Sequence, residues 1–258
     1  MIYEYFIGHK PFEMPSGIDG IKLQVGSLEN FGDVRDSSGD SISEKNPNYC
    51  ELTALYWIWK NECPKLNPDD LIGINHYRRW FSIAKNPQRI EEALQSADII
   101  LPVFEPYRET VRDQYCIESG FERDLIRTRT IMEKIHPGDA VFFDEVMSQG
   151  GIHQYNMMIA TVTEFSDYCS WLFPILSELE KQTDLRGYND YQKRIYGFLS
   201  ERLVNVWVKS RHLRVAESKV IQPEMKLSDR ILLFFRQKRN QMEFKRKTGH
   251  ACRESSAG

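Results

Sequence analysis

Apolar residues along this chain come either in short bursts or at helical spacing. Tyr3-Glu4-Tyr5-Phe6-Ile7, Leu71-Ile72-Gly73-Ile74, Ala97-Asp98-Ile99-Ile100-Leu101 and Met157-Met158-Ile159-Ala160 are the bursts, and Gly8, Pro102 and Gly150-Gly151 punctuate them. Short, almost wholly apolar runs of this kind predict strands covered on both faces. Asn46-Pro47 opens a helix, with Asn as cap and Pro in the first turn, and Tyr49, Leu52, Tyr56 and Trp59 carry it to about Asn61. Phe165, Tyr168, Leu172, Leu176 and Leu179 predict a helix bent or interrupted near Pro174. Ile195, Leu199, Leu203 and Val206 form the core stripe of a last helix over about 189–208. The weakly periodic stretch 104–150 suggests helices around 109–118 and 121–135, and 13–48 reads mostly as loop. Strands separated by helices predict an α/β fold around a central, largely parallel sheet.

Composition adds limits. A chain of 258 residues with 41% hydrophobic and 12% aromatic content fits one large domain or a domain with an appendage, and excludes a disordered or fibrous protein. Five scattered cysteines with no Cys-x-x-Cys pair argue against a disulfide framework or zinc ribbon and favour a reducing compartment. The longest apolar run, Ile231 to Phe235, is far short of the ~20 residues that span a bilayer. The first residues lack the basic start of a signal peptide, so nothing points to export.

Charge changes the picture more. The net charge of -3 hides nine Lys/Arg against three Asp/Glu from Lys226 onward, which leaves -9 for the preceding residues. Leu227, Ile231, Phe234, Phe235 and Met242 alternate there with Arg230, Arg236, Lys238 and Arg239. The pattern predicts a body over 1–222 and a basic amphipathic tail over 223–258, suited to an anionic membrane surface. A docked helix with a frayed end, or a nucleic-acid arm, are the plainer readings of the same pattern.

Candidate chemistry falls in four places. Asn75-His76-Tyr77-Arg78-Arg79 directly follows the second strand, where ligands of open α/β sheets bind, and its paired guanidinium groups suit phosphate or carboxylate oxygens. His9-Lys10 follows the first strand in the same way. Asp190, Arg194, Gly197 and Glu201, at i, i+4, i+7 and i+11, would share one helix face, with Asp190 or Glu201 as a general base. His153-Gln154-Tyr155-Asn156 enters an apolar strand and would set amide groups at a pocket rim, suited to sugar hydroxyls. Each has a structural counterpart: an ordinary surface turn, a solvated helix face, a polar strand entry. The glycine-rich nucleotide motifs, the Gly-x-Ser-x-Gly elbow and His-Glu-x-x-His are missing from the sequence. So is Asp-x-Asp, the pair that holds a divalent metal on diphosphate in many nucleotide-sugar enzymes. If a diphosphate is handled, Arg78 and Arg79 are the obvious substitutes for that metal.

Four segments, taken together and in order, resemble a known family. They are Ser43-Glu44-Lys45-Asn46-Pro47-Asn48-Tyr49-Cys50-Glu51-Leu52-Thr53-Ala54-Leu55-Tyr56-Trp57, Ile72-Gly73-Ile74-Asn75-His76-Tyr77-Arg78-Arg79, Tyr155-Asn156-Met157-Met158-Ile159 and the run from Tyr191 to Leu203. The chain from about Tyr3 to Val208 is thereby similar to bacterial capsular-polysaccharide and O-antigen glycosyltransferases, long catalogued as a domain of unknown function, some members of which are galactofuranosyltransferases. The resemblance implies a GT-A-like nucleotide-sugar-binding sheet flanked by helices, and transfer of a sugar from a UDP-sugar to a lipid-linked glycan at the inner face of the plasma membrane. It would set His9 and Lys10 near the nucleotide, and His76, Tyr77, Arg78 and Arg79 against diphosphate. Asn156 would face sugar, and Asp190, Arg194 and Glu201 would sit at the reaction centre. No cofactor is implied. A glycoside hydrolase using Asp190 and Glu201, and a glycan-binding module without catalysis, are the rival readings.

Overall fold

Strands β1 (Ile2–Gly8), β2 (Ile21–Gln24), β3 (Val34–Arg35), β4 (Leu71–His76), β5 (Trp80–Phe81), β6 (Ile99–Pro102), β7 (Glu105–Pro106), β8 (Gly151–Ile152), β9 (Ile159–Thr161), β10 (Val215–Ser218) and β11 (Val220–Ile221) follow one another along the chain in the computed structural model. It describes residues 1–26, 29–222, 235, 238, 239 and 242; the amphipathic helix expected of the tail lies outside the described residues. Seven strands form the central sheet in the order β10-β6-β9-β4-β1-β2-β3. β1 runs parallel to β2 and β4, β2 to β3, and β6 to β10. Only β9 is reversed, lying antiparallel between β4 and β6. The expected α/β architecture with a mostly parallel sheet is therefore present.

The reversed strand matters for function. Because β9 runs against its neighbours, its amino-terminal entry lies at the carboxyl ends of β4 and β6, with Gly73 opposite Ile159 and the Ile74 amide donating to the Met158 carbonyl at 2.8 Å. Residues 155–158 thus arrive beside the ends of β1 and β4.

Helices cover both faces: α1 (Asn46–Tyr49), α2 (Leu52–Trp57), α3 (Pro87–Leu94), α4 (Val111–Glu118), α5 (Glu122–Ile135), α6 (Ala140–Ser148), α7 (Val162–Gln182) and α8 (Ile195–Ser210). Tyr5, Ile7, Ile72 and Ile74 point to one face of the sheet and join a core with Leu172 and Leu176 of α7 and Leu199 and Leu203 of α8. Phe6, Leu71, Ile100 and Ile159 point to the other, where Ile90 of α3 and Phe81 cover them. The predicted α8 stripe of Ile195, Leu199, Leu203 and Val206 is wholly buried.

Several expectations need correcting. The helix predicted from 46 to 61 is broken at Cys50, whose φ of 56° and ψ of -131° are not helical. The last helix starts at Ile195, not 189; before it, Asn189 and Gln192 exchange side-chain and backbone hydrogen bonds that hold a turn. Helix α7 runs through Pro174 uninterrupted. The stretch 104–150 holds a third helix, α6, and the supposed loop before residue 48 contributes β2 and β3. Those two strands sit at the sheet edge and are only two to four residues long, so their apolar signal is weak.

Candidate active site

The carboxyl ends of β1 and β4 open onto a cleft of about 330 Å³. Its lining joins segments far apart in sequence: Gly8 and His9, Cys50 and Glu51, His76 to Arg79, Tyr155, and Arg194 with Glu201. Two walls of different character result.

The first wall is cationic and is built on a tight turn. The His76 amide donates to the Arg79 carbonyl at 2.8 Å and the Arg79 amide to the His76 carbonyl at 2.9 Å. The Tyr77 amide donates to the Ile7 carbonyl at 2.9 Å and ties this turn to the end of β1. Beneath it, buried Asn75 accepts the Phe81 amide at 2.9 Å and donates to Glu4 at 2.6 Å. Two guanidinium groups project from the turn, each against an aromatic ring: Arg78 lies 4.7 Å from the centre of Tyr77, and Arg79 4.5 Å from that of Tyr155. Such stacking restricts the guanidinium plane and leaves its edge N–H groups for an anion. The His9 ring meets Tyr77 edge-on at 5.2 Å, and the Lys10 ammonium lies 5.8 Å from the same ring.

Both histidines favour the neutral form. Burial lowers the His9 pKa, and Arg78, Lys10 and Arg194 lower it further. Burial likewise holds His76 down, partly offset by Glu51. The arginines therefore supply the positive charge, and the imidazoles supply hydrogen bonds; His76 Nε2 is buried and has no partner within the protein. An anion in the cleft would raise both histidine pKa values, since it favours their charged forms.

The second wall holds the carboxylates. The helix break at Cys50 places Glu51 on the cleft. Asn156 Nδ2 donates to Glu51 Oε1 at 2.6 Å and to the Gly197 carbonyl at 3.1 Å, and its Oδ1 accepts from Ser200 at 2.8 Å. Asn156 is 1% exposed, so it braces the wall from behind and does not present its amide to the cleft. Glu201 accepts from Arg202 at 3.1 Å, and burial, foremost, raises its pKa, with Glu51 adding in the same direction. Arg194 crosses to this wall, its Nε donating to Cys50 Sγ at 3.1 Å. Burial pushes the Cys50 thiol up to about 11, so it is no ready nucleophile.

The structure thus gathers His9, His76, Tyr77, Arg78, Arg79, Arg194 and Glu201 at one cleft, with Lys10 beside it. Two expected residues lie elsewhere. Asp190 and Arg194 both precede α8, so the expected common helix face with Glu201 is absent; Arg194 still reaches the cleft, whereas the Asp190 carboxylate is 98% exposed and pairs with Lys193 at 2.9 Å. His153 belongs to a separate hollow with Phe104 and Lys209, its Nδ1 2.7 Å from the Pro102 carbonyl. Gly197 packs beneath Cys50 at ordinary contact distance. Glu51 was the residue that pattern reading passed over, because an apparently continuous helix hid its turn into the cleft. Among the described residues no group of three or more His, Cys, Asp or Glu side chains converges as a metal site would require.

Comparison with known proteins adds two findings. Residues 4–212 match the family described as domain of unknown function DUF4422. The apo structure of the bifunctional glycosyltransferase WbbM superposes with a TM-score of 0.78 at 28% sequence identity over 87% of this chain. The match covers 45% of WbbM, so the chain spans less than half of that protein's length. No curated protein matches.

Proposed function

The chain belongs to the DUF4422 family, and on that premise we propose that it is a glycosyltransferase that moves a hexosyl unit from a nucleoside-diphosphate sugar to a glycan hydroxyl. The observation that carries this reading is the pairing of walls: Arg78 and Arg79 at a strand's carboxyl end share one cleft with Arg194, Glu51 and Glu201. A glycoside hydrolase needs the carboxylates but not the cations, and a glycan-binding module needs neither in this form. Likeness to WbbM, a glycosyltransferase, supports the same choice.

In this reading Arg78, Arg79 and Arg194 grip the diphosphate and stabilise the charge that develops on it as the anomeric bond breaks. Neutral His9 and His76 donate or accept hydrogen bonds beside them, and a cleft carboxylate takes the acceptor's proton in a single inverting displacement. The donor is a UDP-sugar, with UDP-galactofuranose the first to try, and the acceptor a lipid-linked glycan of capsule or O-antigen synthesis. The basic residues from Lys226 onward would hold the body against the anionic membrane that carries that acceptor. No helix among the described residues is long and apolar enough to cross a membrane.

Screening UDP-sugars for UDP release, with and without a polysaccharide-repeat acceptor, tests the proposal. Acceptor-stimulated release from at least one donor is expected. Glycan hydrolysis without UDP binding would replace the transferase by the hydrolase.

A further inference from the structure

The cleft holds two carboxylates, and their surroundings differ enough to divide the work between them. We infer that Glu51 is the group that receives the acceptor's proton, and that Asn156 and the Cys50 backbone are positioning elements that aim it. The inference rests on the transferase reading and deepens it.

Geometry at Cys50 is the first support. Its φ of 56° lies in the left-handed region that side chains other than glycine rarely adopt, and such strain concentrates where a site needs an exact placement. The surrounding bonds maintain it: the Cys50 amide donates to the Asn46 carbonyl at 2.8 Å, while Asn46 Nδ2 and the Thr53 hydroxyl donate to the Cys50 carbonyl at 2.8 and 3.2 Å. The outcome of this distortion is that the next residue, Glu51, lines the cleft.

Asn156 is the second. It too is left-handed, with φ 50°, and it follows Tyr155 at φ 80°. Its amide can face only one way, because a flip would set its oxygen against the Gly197 carbonyl and the Glu51 carboxylate, two acceptors. Both polar atoms are thereby used within the protein, and the role in sugar contact expected from sequence passes to a role in fixing Glu51. Oε1 of Glu51 is held at 2.6 Å, and among the described residues no donor is bonded to Oε2, which leaves that oxygen for an incoming hydroxyl.

Glu201 is held differently. Its carboxylate leans on Arg202, whose guanidinium is only 2% exposed and is itself bound to the Phe198 carbonyl at 2.8 Å. A carboxylate nearby favours the acid form of its neighbour. Burial, foremost, and Glu51 raise the pKa of Glu201 against the pull of Arg202, Arg79 and Arg194, and the net rise suits a hydrogen-bond donor to substrate better than a base.

The step then balances simply. The acceptor oxygen bonds to the anomeric carbon as its proton passes to Glu51 Oε2. The bond between the anomeric carbon and the diphosphate oxygen breaks, and the electron pair leaves with UDP toward Arg78, Arg79 and Arg194.

The test is kinetic and uses the full chain. Glu201→Gln, which keeps a hydrogen-bond donor in place, should retain more transfer than Glu51→Gln. Asn156→Ala should lower kcat while donor KM and UDP affinity hold, a split that a general loss of packing would not produce. Glu51→Gln should lose transfer by roughly 100-fold or more while UDP affinity holds, and Glu51→Asp should restore part of the rate. Transfer that survives Glu51→Gln, or that Glu201→Gln abolishes more severely, would overturn the assignment alone. Failure of the unmodified chain to release UDP from any UDP-sugar would instead sink the transferase reading and this assignment with it.

Discussion

The two walls of the cleft solve the same problem, holding charge near a substrate, by opposite means. On the cationic wall one five-residue segment supplies the turn and both arginines, and the guanidinium groups rest on aromatic faces with no carboxylate partner among their described contacts. On the carboxylate wall three distant residues, Glu51, Asn156 and Glu201, meet through strained backbone and buried hydrogen bonds. Charge that must meet a diffusing anion can be left on flexible stems with little desolvation cost. Charge that must exchange a proton in one geometry has to be fixed, and fixing it costs backbone strain.

Removing the arginines should break this contrast most severely. Arg78→Ala with Arg79→Ala deletes two charged hydrogen-bond donors, each contributing about 1.5–3 kcal/mol to a phosphate contact. UDP affinity measured by calorimetry should fall by about 100-fold or more, with the thermal unfolding temperature little changed, because neither guanidinium supports the core. Unchanged affinity would remove the cationic wall from the account.

The brace below that wall predicts a pH effect nearly as large. Burial raises the Glu4 pKa from its usual 4.5 to about 7, against the Asn75 hydrogen bond that pulls it down. The folded chain therefore binds this proton more tightly than the unfolded chain. Its contribution to stability is present below about 4.5 and is lost as pH rises towards about 7. Glu4→Gln should abolish that loss, leaving the variant equal to the parent in acid and more stable by roughly 3 kcal/mol above neutrality. Denaturant unfolding at pH 4 and pH 8 checks it; equal differences at the two values would contradict it.

Smaller effects sharpen the other wall. A methyl group on Gly197 would meet Cys50 Sγ at 3.4 Å and its Cβ at 3.5 Å, ordinary contact distances. Gly197→Ala should then raise stability by up to about 1 kcal/mol through helix propensity, read from the chemical unfolding midpoint. A fall in stability would mean that the Cys50 turn has no room to give. Asp190→Asn, which touches only an exposed pair with Lys193, should leave UDP binding and turnover unchanged. A loss of turnover there would return the exposed carboxylate to the reaction centre.

The same contrast explains what was legible in the sequence. The cationic wall is contiguous and follows a strongly apolar strand, so the sequence alone places Arg78 and Arg79 at a strand's carboxyl end. The stripe of Ile195, Leu199, Leu203 and Val206 was equally clear, because burial on one helix face leaves a period. Glu51 left no such mark: the helical spacing of Tyr49, Leu52, Tyr56 and Trp59 continues across Cys50, and a single residue with positive φ changes direction without changing the pattern. Asp190 misled for the complementary reason, since helical spacing extrapolated backwards ignored the hydrogen-bonded turn of Asn189 and Gln192. Short edge strands such as β3, only two residues long, carry too few positions to show any period.

A crystal structure of the chain soaked with UDP would test the central claim most directly. The account predicts the diphosphate in the cleft beyond β1 and β4, within hydrogen-bond distance of Arg78, Arg79 or Arg194, with Glu51 and Glu201 facing its terminal phosphate across open space. UDP bound elsewhere, or a cleft that takes up glycan but not UDP under the same conditions, would contradict it.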